Sequence, residues 1–242
     1  MTASPEAVAV TDNAAYCDDL LKEADPHRWL ALRFAPAPRR RALRALYAVH
    51  AEIARAPHAV SEAPLGEIRL QWWREAIAEI LGEGAPRRHP VVQEGAATHA
   101  IPPAARDLVD GAIDARARFL YAEPFVDLED AIAWACAAEG YLATVRTPHA
   151  DDALVRAEAV FALAGYDDED AAKRGLDRPA LAQAAEPIMR DAAQALAGLA
   201  PEEAGLHAHL ALVGRRLRAR PGPFADVADR WRLFTATLTG RF

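Results

Sequence analysis

Glycine, cysteine and lysine are scarce in this sequence of 242 residues. It has 13 glycines and few runs of β-branched residues, whereas the strong helix formers alanine, leucine, arginine and glutamate recur throughout. The only cysteines, Cys17 and Cys136, form no CxxC pair, so the usual zinc and redox motifs are excluded. The composition predicts an all-α fold, with both thiols inert, in a reducing compartment.

Positive charge and long apolar runs are also in short supply. The net charge is −7, which argues against nucleic acid as a partner because its binding depends on neutralising phosphates. No run approaches the roughly 18 apolar residues of a membrane span, and the N-terminus lacks the basic and apolar regions of a signal peptide. We expect a cytoplasmic protein, with a peripheral contact with the inner membrane left open.

Prolines, glycines and apolar periodicity divide the chain into about nine predicted helices, with no convincing strand. Residues 1–11 are predicted to form a flexible tail and residues 12–242 a single helical domain, because no linker marks off a second one. Asp127 is predicted to cap a helix, and residues 165–175 to form a polar turn. The predicted helices cover residues 13–24, 39–56, 65–82, 103–122, 128–146, 151–165, 178–198, 202–219 and 223–240.

Two of these helices have informative apolar faces. The face of helix 39–56 is formed by Leu43, Leu46, Tyr47, His50 and Ile53. That helix is expected to end at Pro57, which lacks the N–H that a helix needs. Helix 65–82 follows Pro64 and carries two apolar stripes, which predicts a helix sandwiched in the middle of a bundle. The first stripe is Leu70, Trp73, Ile77, Ile80 and Leu81, and the second is Leu65, Ile68, Trp72 and Ala76.

Two neighbouring segments carry a specific pattern. Tyr47-Ala48 stands in the first of them, and residues 66–74 read Gly-Glu-Ile-Arg-Leu-Gln-Trp-Trp-Arg. Weaker matches follow in order at residues 89–91, 108–114, 124–142 and 209–242. With these motifs the chain resembles the squalene/phytoene synthase family, and most of all a divergent branch that includes a mitochondrial complex I assembly factor. The resemblance implies a single-domain helical bundle of the isoprenoid (trans-prenyl diphosphate) synthase type, shortened in its second half.

Enzymes of that family ionise an allylic diphosphate between two aspartate clusters that hold Mg²⁺. Counted from the tyrosine of the motif, the first cluster falls on Ala54, Arg55 and His58, none of which is a carboxylate. The proline that ends the helix also stands inside this cluster, and Glu52 is the one acidic residue that survives nearby. The first metal motif is therefore predicted to be degenerate.

The second cluster of the family reads Asn-x-x-Arg-Asp-x-x-x-Asp and is expected directly after residues 159–165. The chain instead enters the acidic stretch 166–170, which predicts that the motif is deleted. With both clusters lost, the resemblance leaves no catalytic residue and no metal ligand to assign. No cofactor is expected, and Mg²⁺ would be needed only by a surviving enzyme.

The cavity of the family fold leaves a set of candidate lining residues with two interpretations each. His50 is either a core histidine or a ligand, and the two tryptophans either pack in the core or form a wall for an isoprenoid chain. Asp110 and Asp114 share one helix face. They either line the cavity or pair with Arg116 or Arg118 at the surface. The candidates are Tyr47, His50, Glu52, Arg69, Trp72, Trp73, Asp110 and Asp114.

Three functions follow from the resemblance. The first is a non-catalytic assembly or scaffold factor with a protein partner, such as a subunit of a respiratory complex. The second is a protein that binds an isoprenoid or another lipid in the inherited cavity without chemistry. The third is a residual prenyl transferase that condenses allylic diphosphates. We expect the first, because the fold-defining segment is kept while the metal clusters are lost.

Overall fold

A computed structural model describes residues 5–217 and 231–236. Within these ranges the chain is helical and has no strand, as the all-α prediction requires. The α-helices are α1 (Pro5–Ala24), α2 (Pro26–Ala31), α3 (Arg40–Arg55), α4 (Ala63–Ile80), α5 (Pro90–Ala97), α6 (Arg106–Arg116), α7 (Leu128–Glu139), α8 (Tyr141–Arg146), α9 (Asp152–Leu163), α10 (Asp168–Lys173), α11 (Arg178–Ala197), α12 (Pro201–Ala204) and α13 (Val213–Arg216). Short 3₁₀ segments cover Leu32–Phe34, Ala37–Arg39, Ala56–Ala59, Pro103–Ala105, Ala117–Leu120 and Gly205–Leu212.

Several helix boundaries differ from the prediction. The helix α1 begins at Pro5, so residues 5–11, which were expected in a loose tail, are helical. The helix α5 lies between the predicted helices 65–82 and 103–122, where no helix was predicted; Pro90 can occupy its first turn without losing a hydrogen bond. The predicted polar turn contains α10. The predicted helix 223–240 lies mostly outside the described residues, and 231–236 are helical.

The chain divides into two compact units. The first comprises Met1–Arg33 and Ala37–Tyr121, and the second comprises Phe34–Pro36 and Ala122–Phe242. The single domain predicted for residues 12–242 stays a prediction.

In the first unit, α1, α3 and α5 pack against one another, and α4 packs against α5 and α6. The predicted apolar face of α3 is confirmed, since all five of its residues are buried. Pro64 stands in the first turn of α4, as predicted. Gly66 lets the 3₁₀ segment Ala117–Leu120 approach α4, because a Cβ at this position would collide with the side chain of Leu120.

The second apolar stripe of α4 is only half covered. Leu65 is 48% exposed and Ile68 65% exposed, whereas Trp72 is half-buried and Ala76 fully buried. The prediction of a sandwiched helix is therefore wrong for the first half of α4. Helical periodicity shows which residues share a face, but the neighbouring elements decide whether that face is covered.

In the second unit, α9 packs against α7, α8 and α11. Aspartates cap three of these helices by accepting the free N–H groups of the first turn. Asp127 accepts from the N–H of Asp130 at 2.8 Å, as predicted, and Asp151 and Asp177 do the same for α9 and α11. Asp167 caps α10 in the same way. Part of the acidic stretch 166–170 therefore starts a helix.

Candidate functional site

The positions of the first metal motif lie at the C-terminal end of α3. Arg55 Nη2 donates to both carboxylate oxygens of Glu52, at 2.7 and 2.9 Å. The Glu52 side chain is 8% exposed and that of Arg55 60% exposed, so the pair lies at the edge of the core. An arginine that stands at a motif position thus neutralises the one carboxylate that remains nearby.

The other two motif positions also lack metal-binding geometry. The helix α3 ends at Arg55, and the proline of the motif is the second residue of the 3₁₀ segment Ala56–Ala59, as the helix-breaking prediction requires. His58 is exposed in that segment, with its ring centroid 5.8 Å from that of Phe119. Ala54 is half-buried and has no ligating atom.

The candidate cavity residues of the first unit are spread between core and surface. Those that are buried are Tyr47, His50, Glu52 and Trp73, those that are half-buried are Trp72 and Asp110, and those that are exposed are Arg69 and Asp114. Asp114 forms an ion pair with Arg74, and Asp110 lies 3.6 Å from Arg106. Surface pairing was one of the two interpretations, but the arginines differ from those expected. Whether the set lines a ligand cavity stays a prediction.

The two tryptophans of the family segment pack with a histidine that follows them in the chain. His89 lies edge-on to both rings, with its centroid 5.5 Å from Trp72 and 5.6 Å from Trp73. Burial is the main cause that lowers the pKa of His89. The negative charge of Glu52 raises this pKa and the positive charge of Arg55 lowers it, each by a smaller amount. This histidine therefore stays neutral near pH 7 and packs against both tryptophans.

Arg87 stacks on Trp72 at one side of this aromatic cluster. Its guanidinium carbon lies 4.4 Å from the centroid of Trp72, within cation–π range. Its Nη2 and Nε atoms donate to Glu79 at 2.7 and 2.9 Å. The outer face of Trp72 is thus held by a hydrogen-bonded arginine that belongs to the same unit.

A buried polar network in the second unit was missed by sequence reasoning. Arg146 and His209 both bond to one oxygen of Glu158, the latter at 2.5 Å, and all three side chains are almost fully buried. His207 Nε2 lies 2.9 Å from Thr147 Oγ1. Burial, and then the charges of Arg146 and His209, hold the pKa of His207 well below its usual value. In the sequence, His209 is 51 residues from Glu158 and His207 is 60 residues from Thr147. No local pattern could therefore reveal the network.

The same region offers another register for the second metal motif. Arg146 and Thr147 are followed by Asp151 at the spacing of Arg-Asp-x-x-x-Asp, with threonine at the first aspartate. In this register the motif is substituted instead of deleted. Asp151 accepts from the N–H of Ala153 at 2.8 Å, so its carboxylate caps α9.

Metal ligands do not gather in the part of the chain that the structure describes. No group of three or more histidine, cysteine, aspartate and glutamate side chains is placed to hold a metal ion among residues 5–217 and 231–236.

Within the same residues, no helix is both long and apolar enough to cross a bilayer.

Comparison with known proteins identifies the class to which this fold and these motifs belong. The family model of squalene/phytoene synthase matches residues 21–145, which is more than half of the chain. The chain therefore belongs to the squalene/phytoene synthase family. A crystal structure of a dehydrosqualene synthase in complex with ligand matches with a TM-score of 0.72 and 11% identity, covering 95% of this chain and 98% of that one. At this identity the likeness shows the fold alone, which is the predicted isoprenoid synthase type.

The curated relatives point to a particular branch of the family. The NADH dehydrogenase (ubiquinone) complex I assembly factor 6 of Rattus norvegicus is 32% identical over 92 residues, which are 38% of this chain and 27% of the relative. The Homo sapiens protein of the same name is 33% identical over 79 residues, 33% of this chain and 23% of the relative. The matched stretch thus spans about a quarter of the length of these relatives. The predicted resemblance to the family and to this divergent branch is confirmed.

Proposed function

We propose that this protein is a non-catalytic member of the squalene/phytoene synthase family that acts as an assembly or scaffold factor for a respiratory complex. The observation that carries the proposal is the ion pair between Arg55 and Glu52 at the position of the first metal motif. The names of the relatives support the type of partner, which is a protein of complex I or of its assembly pathway.

The ion pair opposes metal-assisted ionisation on physical grounds. Ionising an allylic diphosphate requires divalent cations that are held by several carboxylate oxygens and neutralise the leaving group. At this motif a guanidinium already occupies the carboxylate of Glu52 and would repel a second cation. The proposal therefore assigns no resident metal or cofactor to the protein.

A native pull-down and a chemical assay together test the proposal. The tagged full-length protein is expected to recover subunits of a respiratory complex from solubilised membranes of its own host. In parallel, the purified protein is incubated with farnesyl and geranylgeranyl diphosphate and Mg²⁺, and diphosphate release is measured. We expect release at the level of a protein-free control. Recovery of no specific partner, or Mg²⁺-dependent release that Glu52→Gln abolishes, would overturn the proposal.

A further inference from the structure

The exposed half of α4 lines an open groove in the first unit, next to the point where Arg87 contacts Trp72. The groove has a volume of about 490 Å³ and is lined by Pro64, Glu67, Ile68, Gln71, Trp72 and Glu75. Its apolar centre is Ile68, which is 65% exposed, with the half-buried ring of Trp72 one turn further along. An isolated exposed apolar residue needs no explanation, but here Ile68 lies next to the ring of Trp72 and has a glutamate on either side, which makes an apolar centre within a polar rim.

The rim of this groove is acidic. Glu67 makes no ion pair among the described residues and accepts only from the hydroxyl of Tyr121. Glu75 receives one long contact from Arg87 Nη2, at 3.4 Å, while that arginine makes its close contacts with Glu79. Glu67 and Glu75 are both exposed, and Glu75 shares the single positive charge of Arg87 with Glu79, so the rim keeps a net negative charge toward a partner. They lie eight residues apart, which is about 12 Å along a helix.

Two other occupants fit this surface poorly. A second copy of the chain would bring the same face against itself around a two-fold axis. The rim carboxylates of the two copies would then oppose one another. A membrane with anionic lipids attracts basic segments and would repel this rim. The chain as a whole adds to that repulsion, because its net charge is −7.

We infer that the groove on α4 binds an amphipathic helix of a partner protein that carries apolar residues between two basic residues placed about two turns apart. The apolar residues cover Ile68 and Trp72, and the basic residues meet Glu67 and Glu75. The inference rests on the proposed function, because it names the surface through which the assembly factor contacts its partner.

A peptide experiment tests the groove independently of the identity of the natural partner. The probe is a labelled helical peptide of about 18 residues, with leucines on one face and flanking lysines about two turns apart. Its matched control peptide has glutamates in place of the lysines. Ile68→Glu removes the apolar centre of the groove. The matched control variant is Leu108→Glu, which makes the same change at an exposed apolar residue outside the groove.

The wild-type protein is expected to bind the lysine peptide at least about tenfold more tightly than the glutamate peptide at low salt. Ile68→Glu should weaken this binding by about tenfold or more, and Leu108→Glu by less than about twofold. The double variant Glu67→Lys and Glu75→Lys should reverse the preference between the two peptides. Equal binding of both peptides, or equal effects of the two glutamate variants, would overturn the inference. So would Ile68-dependent binding to phosphatidylserine vesicles or Ile68-dependent dimerisation in place of peptide binding.

A pull-down with the same variants separates failure of the groove from failure of the proposed function. If Ile68→Glu recovers respiratory subunits as well as Leu108→Glu does, the groove is not the docking surface and the assembly function stands. If the wild-type protein recovers none, the assembly function fails, while the peptide experiment still decides whether the groove binds a basic helix.

Discussion

Both units contain an ion pair between an arginine and a glutamate, and the surroundings of the two pairs differ sharply. Arg146 and Glu158 are fully buried in the second unit, where His209 shares the same carboxylate oxygen. Arg55 and Glu52 lie at the edge of the first unit, with the guanidinium largely in solvent. Charges taken out of water must keep all their partners, whereas a pair at the surface adds little stability. The buried pair is therefore part of the fold, whereas the edge pair stands at the position of the first metal motif.

The largest expected effect comes from removing the shared carboxylate of the buried network. Glu158→Gln leaves Arg146 buried without its counter-ion, which should lower the free energy of unfolding by about 3–5 kcal/mol. Chemical denaturation followed by circular dichroism measures the change. The matched control is Glu186→Gln on α11, which breaks an exposed pair with Arg190 and should cost less than about 1 kcal/mol. Equal losses in the two variants would show that burial does not distinguish the two kinds of pair.

An effect of intermediate size is expected from acidification. The folded state holds the pKa of His207 well below that of an unfolded histidine, about 6.5. As the pH falls, the unfolded chain binds a proton at this residue before the folded chain does. The contribution of His207 to the free energy of unfolding is therefore complete above pH ~6.5. Below that pH the contribution is lost, by up to about 1.4 kcal/mol per pH unit.

Denaturation midpoints between neutral and mildly acidic pH measure this dependence. His207→Asn should reduce the slope of stability against pH, and the matched control His99→Asn, at an exposed histidine, should leave it unchanged. An unchanged slope in His207→Asn would contradict the assignment of the acid sensitivity to the buried network.

The smallest stability effect is expected at the edge pair. Arg55→Gln should lower the free energy of unfolding by about 1 kcal/mol or less, because the Arg55 side chain is largely in solvent and the substituted amide can still donate to the carboxylate of Glu52. The same denaturation assay measures it against the buried variant. A loss as large as that of Glu158→Gln would show that the edge pair stabilises the fold as much as the buried pair does. The two units would then not differ in this respect.

The sequence predicted the features that depend on local order. The buried face of α3 follows from helical spacing, the cap at Asp127 follows from a side chain placed before a helix, and the family follows from the segment 66–74. It did not predict α5, a helix of eight residues that begins with a proline and lies between two predicted helices. The exposure of Ile68 was also missed, since periodicity does not say which neighbour covers a face.

The buried network shows a different limit of sequence reasoning. His207 and His209 stand two residues apart, so on a helix they would point away from each other and make a poor metal site. In the folded chain they reach separate partners, Thr147 and Glu158, on elements that are distant in sequence. Only tertiary packing brings such groups together. The edge pair was within reach of the sequence, because Glu52 and Arg55 lie three residues apart on one helix.

The most direct test of the central claim is the amount of assembled respiratory complex I in a host strain that lacks this protein, measured on native gels. We expect the complex to be depleted in the deletion strain and to be restored equally by the wild-type protein and by Glu52→Gln, because the proposed function requires the fold and no metal-bound carboxylate. Normal assembly without the protein would contradict the assembly function, and restoration by the wild type but not by Glu52→Gln would contradict a function without a metal-bound carboxylate.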